Sequence, residues 1–234
     1  GDGQGRETEA GRRRVGVRMR ARGVLRYEDY ARLLDEDVGE YERLMRALTI
    51  NVTKLFRNWE VYDAIARRVI PEIWDRDLST MRVWSAGCAA GQEAFSLAAL
   101  FHRHAESTGT LDRVARVQIV GTDVDREVLA AARAAEFTDA DFADTPPELR
   151  ARYFQPDPPH SLDADVRQMV RFVSSDLLSD PPPFSAHELI VCRNVLIYFD
   201  RPSQERLFGV FHEALAPGGY LGLGKVETLF GAGR

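Results

Sequence analysis

Residues 83–97 read VWSAGCAAGQEAFSL: an apolar run that breaks at Gly87 and Gly91 and resumes at Gln92 with helix-forming residues. That order is the signature of a strand, a tight loop and a helix, the opening unit of an α/β sheet. Downstream the same texture repeats. Strands are predicted at Met81–Ala86, Val117–Thr122, Met169–Ser174, Glu188–Cys192 and Tyr220–Leu223. The helices between them are Gln92–Ala105, Arg126–Ala135, a short one near Pro147–Arg152, and Gln204–Leu215, which Pro217-Gly218-Gly219 is expected to stop. Short apolar strands joined by helices predict an α/β fold with a doubly wound, mostly parallel sheet. The polar stretches Asp139–Pro147 and Gln155–Pro159 read as surface loops.

Upstream the pattern is helical. Residues 1–11, rich in Gly and charge, read as a disordered lead-in, and 12–50 as a small all-helical N-terminal domain. Its helices are Tyr27–Leu34 and Gly39–Leu48, the second with Tyr41, Leu44, Met45 and Leu48 along one stripe. Residues 51–80 form a linker and first helices, with Asn58 as the cap of a helix Trp59–Val69 that ends near Pro71. Residues 81–234 form the ligand-binding domain.

Of the 234 residues 44% are hydrophobic and 29% charged, with a net charge of −5, the balance of a globular protein. No apolar run approaches the roughly 18 residues of a membrane span, and the N-terminal stretch has no apolar leader. A cytoplasmic location without membrane insertion is expected. Cys88 and Cys192 are too few for a disulfide framework, and the five histidines are scattered, so no metal site is expected. From Arg12 to Arg26 there are seven arginines and no acid. That segment is either a docking surface for an acidic partner or a solvated basic arm. The acidic remainder of the chain argues against nucleic acid.

The glycine loop narrows the ligand. A dinucleotide fingerprint needs G-x-G-x-x-G, whereas Gly87 and Gly91 stand in G-x-x-x-G and place Gln92-Glu93 at the helix start. An acidic first turn disfavours phosphate and suits a ligand with a cationic end. At the tip of the second strand, Asp123 can accept from both hydroxyls of a ribose, while Asp125 is the better cap for the following helix. A nucleoside with an amino-acid tail and no phosphate is S-adenosylmethionine.

Residues 51–57 (NVTKLFR), the stretch VWSAGCAAGQEAFSLA, then GTDVDREVLAAA, then residues 192–200 (CRNVLIYFD) resemble the successive signatures of the CheR family, the chemotaxis-receptor glutamate methyltransferases, over roughly residues 12–230. The resemblance implies a class I methyltransferase (Rossmann-like) fold. It also implies methyl transfer from S-adenosylmethionine, leaving S-adenosylhomocysteine, to receptor glutamates. Carried over by motif, Asn51, Thr53, Arg57, Ala86, Gly87, Gly91, Gln92, Asp123, Asp176, Leu177, Arg193, Asn194 and Val195 would meet the cofactor. Arg57 and Tyr198 would border the transfer site. The basic segment 12–26 of a monomer would contact the acidic, cytoplasmic helical region of a chemoreceptor.

Gln92 stands where such relatives usually carry Glu, which removes a charge facing the cofactor's ammonium. Glu93 or Asp176 is expected to compensate. A final hairpin is expected to be missing, and no long strand-and-glycine insertion is seen between Tyr153 and Val170. The alternatives are a methyltransferase of another substrate class and a catalytically weakened S-adenosylmethionine-binding signalling module.

Overall fold

The computed structural model describes residues 12, 14–48 and 53–224. The chain forms two compact units that divide between Val52 and Thr53. Residues 51–80, which the sequence sets apart as a linker, therefore fall mostly within the second unit.

The first unit contains helix α1 (residues 14–21), α2 (Tyr27–Glu36) and α3 (Val38–Leu48). Its small apolar centre is Met19, Tyr30 and Leu44, edged by Val15, Val24, Leu33 and Leu34. A carboxylate is buried beside it. Glu40 is fully enclosed and accepts from Arg18 Nη2 at 2.7 Å, Tyr30 OH at 2.7 Å and Arg43 Nε at 3.2 Å. Burial alone would raise its pKa, but these donors outweigh it and hold the carboxyl down at about 2. Arg22 bonds Asp37 at 2.9 Å. Tyr41, expected on the buried stripe, is 38% exposed; the side chains of Met45 and Leu48 lie outside the described set.

The second unit opens with α4 (Trp59–Ala64), which continues through a π-helical turn (Ile65–Val69) into α5 (Ile70–Trp74). Pro71 does not end this helix, as the sequence suggests. It has no N–H for the carbonyl four residues back, and the helix widens into the π turn and runs on. Asn58 occupies the cap position but makes no capping bond with its side chain and sits in the left-handed region, φ 59°.

The sheet follows: β1 (Met81–Ala86), α6 (Gln92–Ser107), β2 (Val117–Asp123), α7 (Arg126–Ala134) and a two-residue β3 (Glu136–Phe137). After α8 (Pro147–Tyr153), β4 (His160–Ser161) returns to pair with β3, before α9 (Ala164–Arg167) and β5 (Val170–Ser174). The chain then passes through β6 (His187–Cys192), α10 (Arg201–Ala214) and β7 (Leu215–Leu223). Strand order is β5-β2-β1-β6-β7, with every pair parallel. This is the doubly wound arrangement, with β1 and β6 at the point where the order reverses.

Alternation along the strands sends Met81, Val83, Leu189 and Val191 into one core with α5 and α6, and Trp84, Ala86, Ile190 and Cys192 into another with Leu207 and Phe211 of α10. Helix α10 ends at Ala214, ahead of Pro217-Gly218-Gly219 as expected, and those three residues lie within β7 at the sheet's edge, where the pairing with β6 carries an irregularity between His187 and Leu189. One local expectation fails. Asp139–Phe142 is a 3-10 turn whose Phe142 is buried against Phe137 and Phe154 rather than plain surface loop.

Candidate functional site

β1 and β6 are neighbours whose carboxyl ends open the crevice of the sheet, and the loop of residues 87–91 leaves β1 there. Gly87 and Gly91 are left-handed, φ 76° and 87°. What forbids side chains at these positions is the protein itself. A Cβ on Gly87 would stand 2.5 Å from Val195 Cγ2, and one on Gly91 would stand 2.8 Å from the Phe172 ring. The loop is laid across β2: the N–H groups of Gly87 and Cys88 donate to Thr122 O at 2.8 and 2.9 Å. Ala89 N–H donates to Asp123 Oδ2 at 2.9 Å.

Asp123 also accepts from Asp125 N–H at 3.0 Å, while Asp125 caps α7 through Glu127 and Val128. Burial pushes the Asp123 carboxyl up, and the backbone donors pull it back only in part. Each of its oxygens retains acceptor capacity, so the residue that pins the loop can still bind a diol. Beyond β5, Asp176 turns its Oδ1 onto Leu178 N–H at 2.9 Å, and Leu177 packs with Trp84, Ile190 and Leu196. Ala86 is buried, and Asn194 leaves β6 with φ 61°.

Thr53 to Asn58 is fastened to this crevice's helix and to the loop of residues 139–145. Phe56 N–H donates to Ser96 Oγ at 2.8 Å and Asn58 N–H to Asp144 at 2.9 Å, while Leu55 N–H reaches Asp141 O at 2.9 Å. Thr53 and Arg57 are half-buried; Asn51 lies outside the described residues. Tyr198, on a 3-10 turn over Leu196–Tyr198, is 47% exposed and so is not a core aromatic.

Gln92 and Glu93 open α6 and are both buried. The Gln92 amide donates to Asp141 at 2.9 Å, which fixes its orientation. Its Oε1 is buried with no hydrogen-bond partner among the described residues. An acceptor of that kind suits an ammonium, and with the Asp123 carboxylate it makes the donor set fit a nucleoside bearing an amino-acid tail. Glu93 does not stand in for the missing charge: it accepts from Ser85 Oγ at 2.8 Å and faces Arg193 at 3.8 Å. Asp176 accepts from its own turn through Oδ1. No group of three or more His, Cys, Asp or Glu that could hold a metal ion occurs among the described residues.

The profile of the CheR family, "CheR methyltransferase, SAM binding domain", matches residues 51–234. The chain belongs to the CheR family. Its cofactor is therefore S-adenosylmethionine. Chemotaxis protein methyltransferase 1 of Pseudomonas aeruginosa is 35% identical over 82% of this chain and 71% of that protein. The chemotaxis protein methyltransferase of Borreliella burgdorferi is 28% identical over 93% of this chain and 79% of that one. An uncharacterised 104.1 kDa protein of Rhodobacter capsulatus is 38% identical over 93% of this chain, which spans only 23% of it. No helix among the described residues is long and apolar enough to cross a membrane.

Sequence reasoning overlooked Ser85, Asp141 and Asp144 and gave Asn58 and Glu93 other roles; these residues hold the CheR-family motifs to one another. A hint was present in Glu93, a charge opening a helix whose next residues are apolar.

Proposed function

We propose that this CheR-family chain transfers a methyl group from S-adenosylmethionine to glutamate side-chain carboxylates of chemotaxis receptors, as a protein-glutamate O-methyltransferase. The observation that carries the reading is the gathering of Asp123, the buried Oε1 of Gln92 and the Gly87–Gly91 loop at the carboxyl ends of β1 and β2. Asp123 holds the ribose, and Gln92 receives the ammonium. Asn51, Thr53, Arg57, Ala86, Asn194, Val195, Asp176 and Leu177 complete the cofactor's surroundings.

Bound S-adenosylmethionine supplies a methyl group made electrophilic by its sulfonium. The acceptor glutamate, with a pKa of about 4.3, is ionised at neutral pH, so no general base is needed. The chain agrees with that economy: no histidine stands at these strand ends, and His187 lies at the opposite end of β6. Exposed Tyr198 orients the incoming carboxylate by a hydrogen bond, and Arg57 assists capture. Neither is a base. Excluding water from carboxylate and sulfonium favours a transfer in which their charges cancel.

Docking of an acidic, helical, cytoplasmic receptor region falls to the basic segment 12–26, which places the chain in the cytoplasm, and we take it to act there as a monomer. Within the segment, Arg18 and Arg22 are engaged with Glu40 and Asp37. Exposed Arg12 and Arg20 are the better docking residues.

The test is titration with S-adenosylhomocysteine, followed by transfer of labelled methyl from S-adenosylmethionine to a receptor cytoplasmic fragment. Micromolar binding and a base-labile methyl ester are expected. Base-stable label would point to another substrate class, and binding without transfer to a signalling module.

A further inference from the structure

Arg193 is 6% exposed, and its guanidinium is shared among separate parts of the site. Nη2 donates to the Arg57 carbonyl at 2.9 Å and to Asn58 Oδ1 at 3.2 Å. Nη1 faces Glu93 Oε2 at 3.8 Å, and the guanidinium carbon lies 5.3 Å from the centre of the Tyr62 ring. Glu93 is in turn held by Ser85 of β1. The loop that Arg193 grips is one that needs gripping: Phe56 and Asn58, on either side of Arg57, both take left-handed backbone, φ 53° and 59°, without being glycine. Such conformations persist only where surrounding contacts impose them.

We propose that Arg193 is a positioning residue rather than a cofactor ligand: it clamps residues 56–58 to the carboxyl end of β6 and thereby sets the affinity of the site. The inference rests on the S-adenosylmethionine-site reading above. The shape of the side chain is the reason for an arginine. A planar fork reaches two acceptors on one loop, an acidic partner on α6 and an aromatic face together, which a lysine's single ammonium cannot do. Asn194, the next residue, stands beside Val195, which fills the space over Gly87. The clamp therefore ties the 56–58 loop to the same turn that closes over the glycine loop.

The experiment compares the wild-type chain with Arg193→Lys and Asn58→Gly. Glycine keeps the left-handed backbone and removes only the Oδ1 acceptor. S-adenosylhomocysteine affinity is measured by calorimetry, and hydrogen–deuterium exchange is followed at the amides of 56–58 with α10 as the internal reference. In Arg193→Lys, affinity is expected to fall about tenfold and exchange at 56–58 to rise about tenfold, with exchange in α10 unchanged. Asn58→Gly is expected to shift both in the same direction by less. An affinity loss without faster exchange at 56–58 would make Arg193 a direct ligand and overturn the clamp, and so would no change in either quantity. If the wild-type chain fails to bind S-adenosylhomocysteine, the site reading falls, and the exchange comparison alone decides whether the clamp exists.

Discussion

The two units balance apolar and charged burial differently. The second encloses two large apolar cores, in one of which Phe95 is set edge-on to Phe137 and Phe172. The first has, among the described residues, three buried apolar side chains and, against them, a carboxylate fully removed from water. A small helical unit cannot bury much surface, and here a charged network supplies specificity where apolar area runs short. The lesson concerns the arginines. In sequence, Arg12 to Arg26 form a basic segment without an acid; folded, Arg18 and Arg22 of that segment join Arg43 of α3 around Glu40, and part of the apparent docking charge is internal cement.

The contrast can be broken most severely in the second unit. Phe95→Ala is expected to cost about 4 kcal/mol, as aromatic-to-alanine changes in closed cores do, measured by denaturant unfolding. In the first unit, Glu40→Ala is expected to cost about 3 kcal/mol, because it leaves guanidiniums without their acceptor, while the second unit's transition stays in place. Unfolding followed by a probe in each unit checks both, and equal losses in the two transitions would dissolve the distinction.

The units should also separate by pH. Glu40 has a folded pKa of about 2, below its usual 4.5. Its stabilisation is therefore complete above pH 4.5 and is lost as pH falls toward 2. The first unit is expected to melt early on acidification, seen as an acid transition that Glu40→Gln abolishes. At the cofactor site, Asp123→Ala is expected to weaken S-adenosylhomocysteine by about 2 kcal/mol, the scale of a lost charge-assisted pair, in calorimetry. The smallest effect belongs to the surface. Arg20→Glu is expected to move the first unit's melting midpoint by under about 3 °C while lowering receptor methylation.

Most of the architecture could be read from residue patterns. Alternating apolar strands and helices announce a doubly wound sheet because each element's pattern is local. The acidic tip of the second strand and the Gly87–Gly91 spacing were legible for the same reason. Contacts that join distant segments were not. Nothing local says that Arg193 will reach the carbonyl of Arg57, or that Arg18 will be neutralised by Glu40 on another helix. Pro217-Gly218-Gly219 correctly announced the end of α10, but not that β7 would begin at Leu215 and carry these residues through an irregularity opposite β6.

The closeness of Gly87 to Val195 bears on how such chains diverge. With 2.5 Å between a would-be Cβ and the valine methyl, residue 87 is not free to enlarge while Val195 stays. A lineage that enlarges residue 87 must first carry a smaller residue at 195, and the newcomer must also tolerate the left-handed backbone, φ 76°. The two sites, far apart in the chain, therefore form one heritable unit, in which the order of substitutions matters as much as their identity.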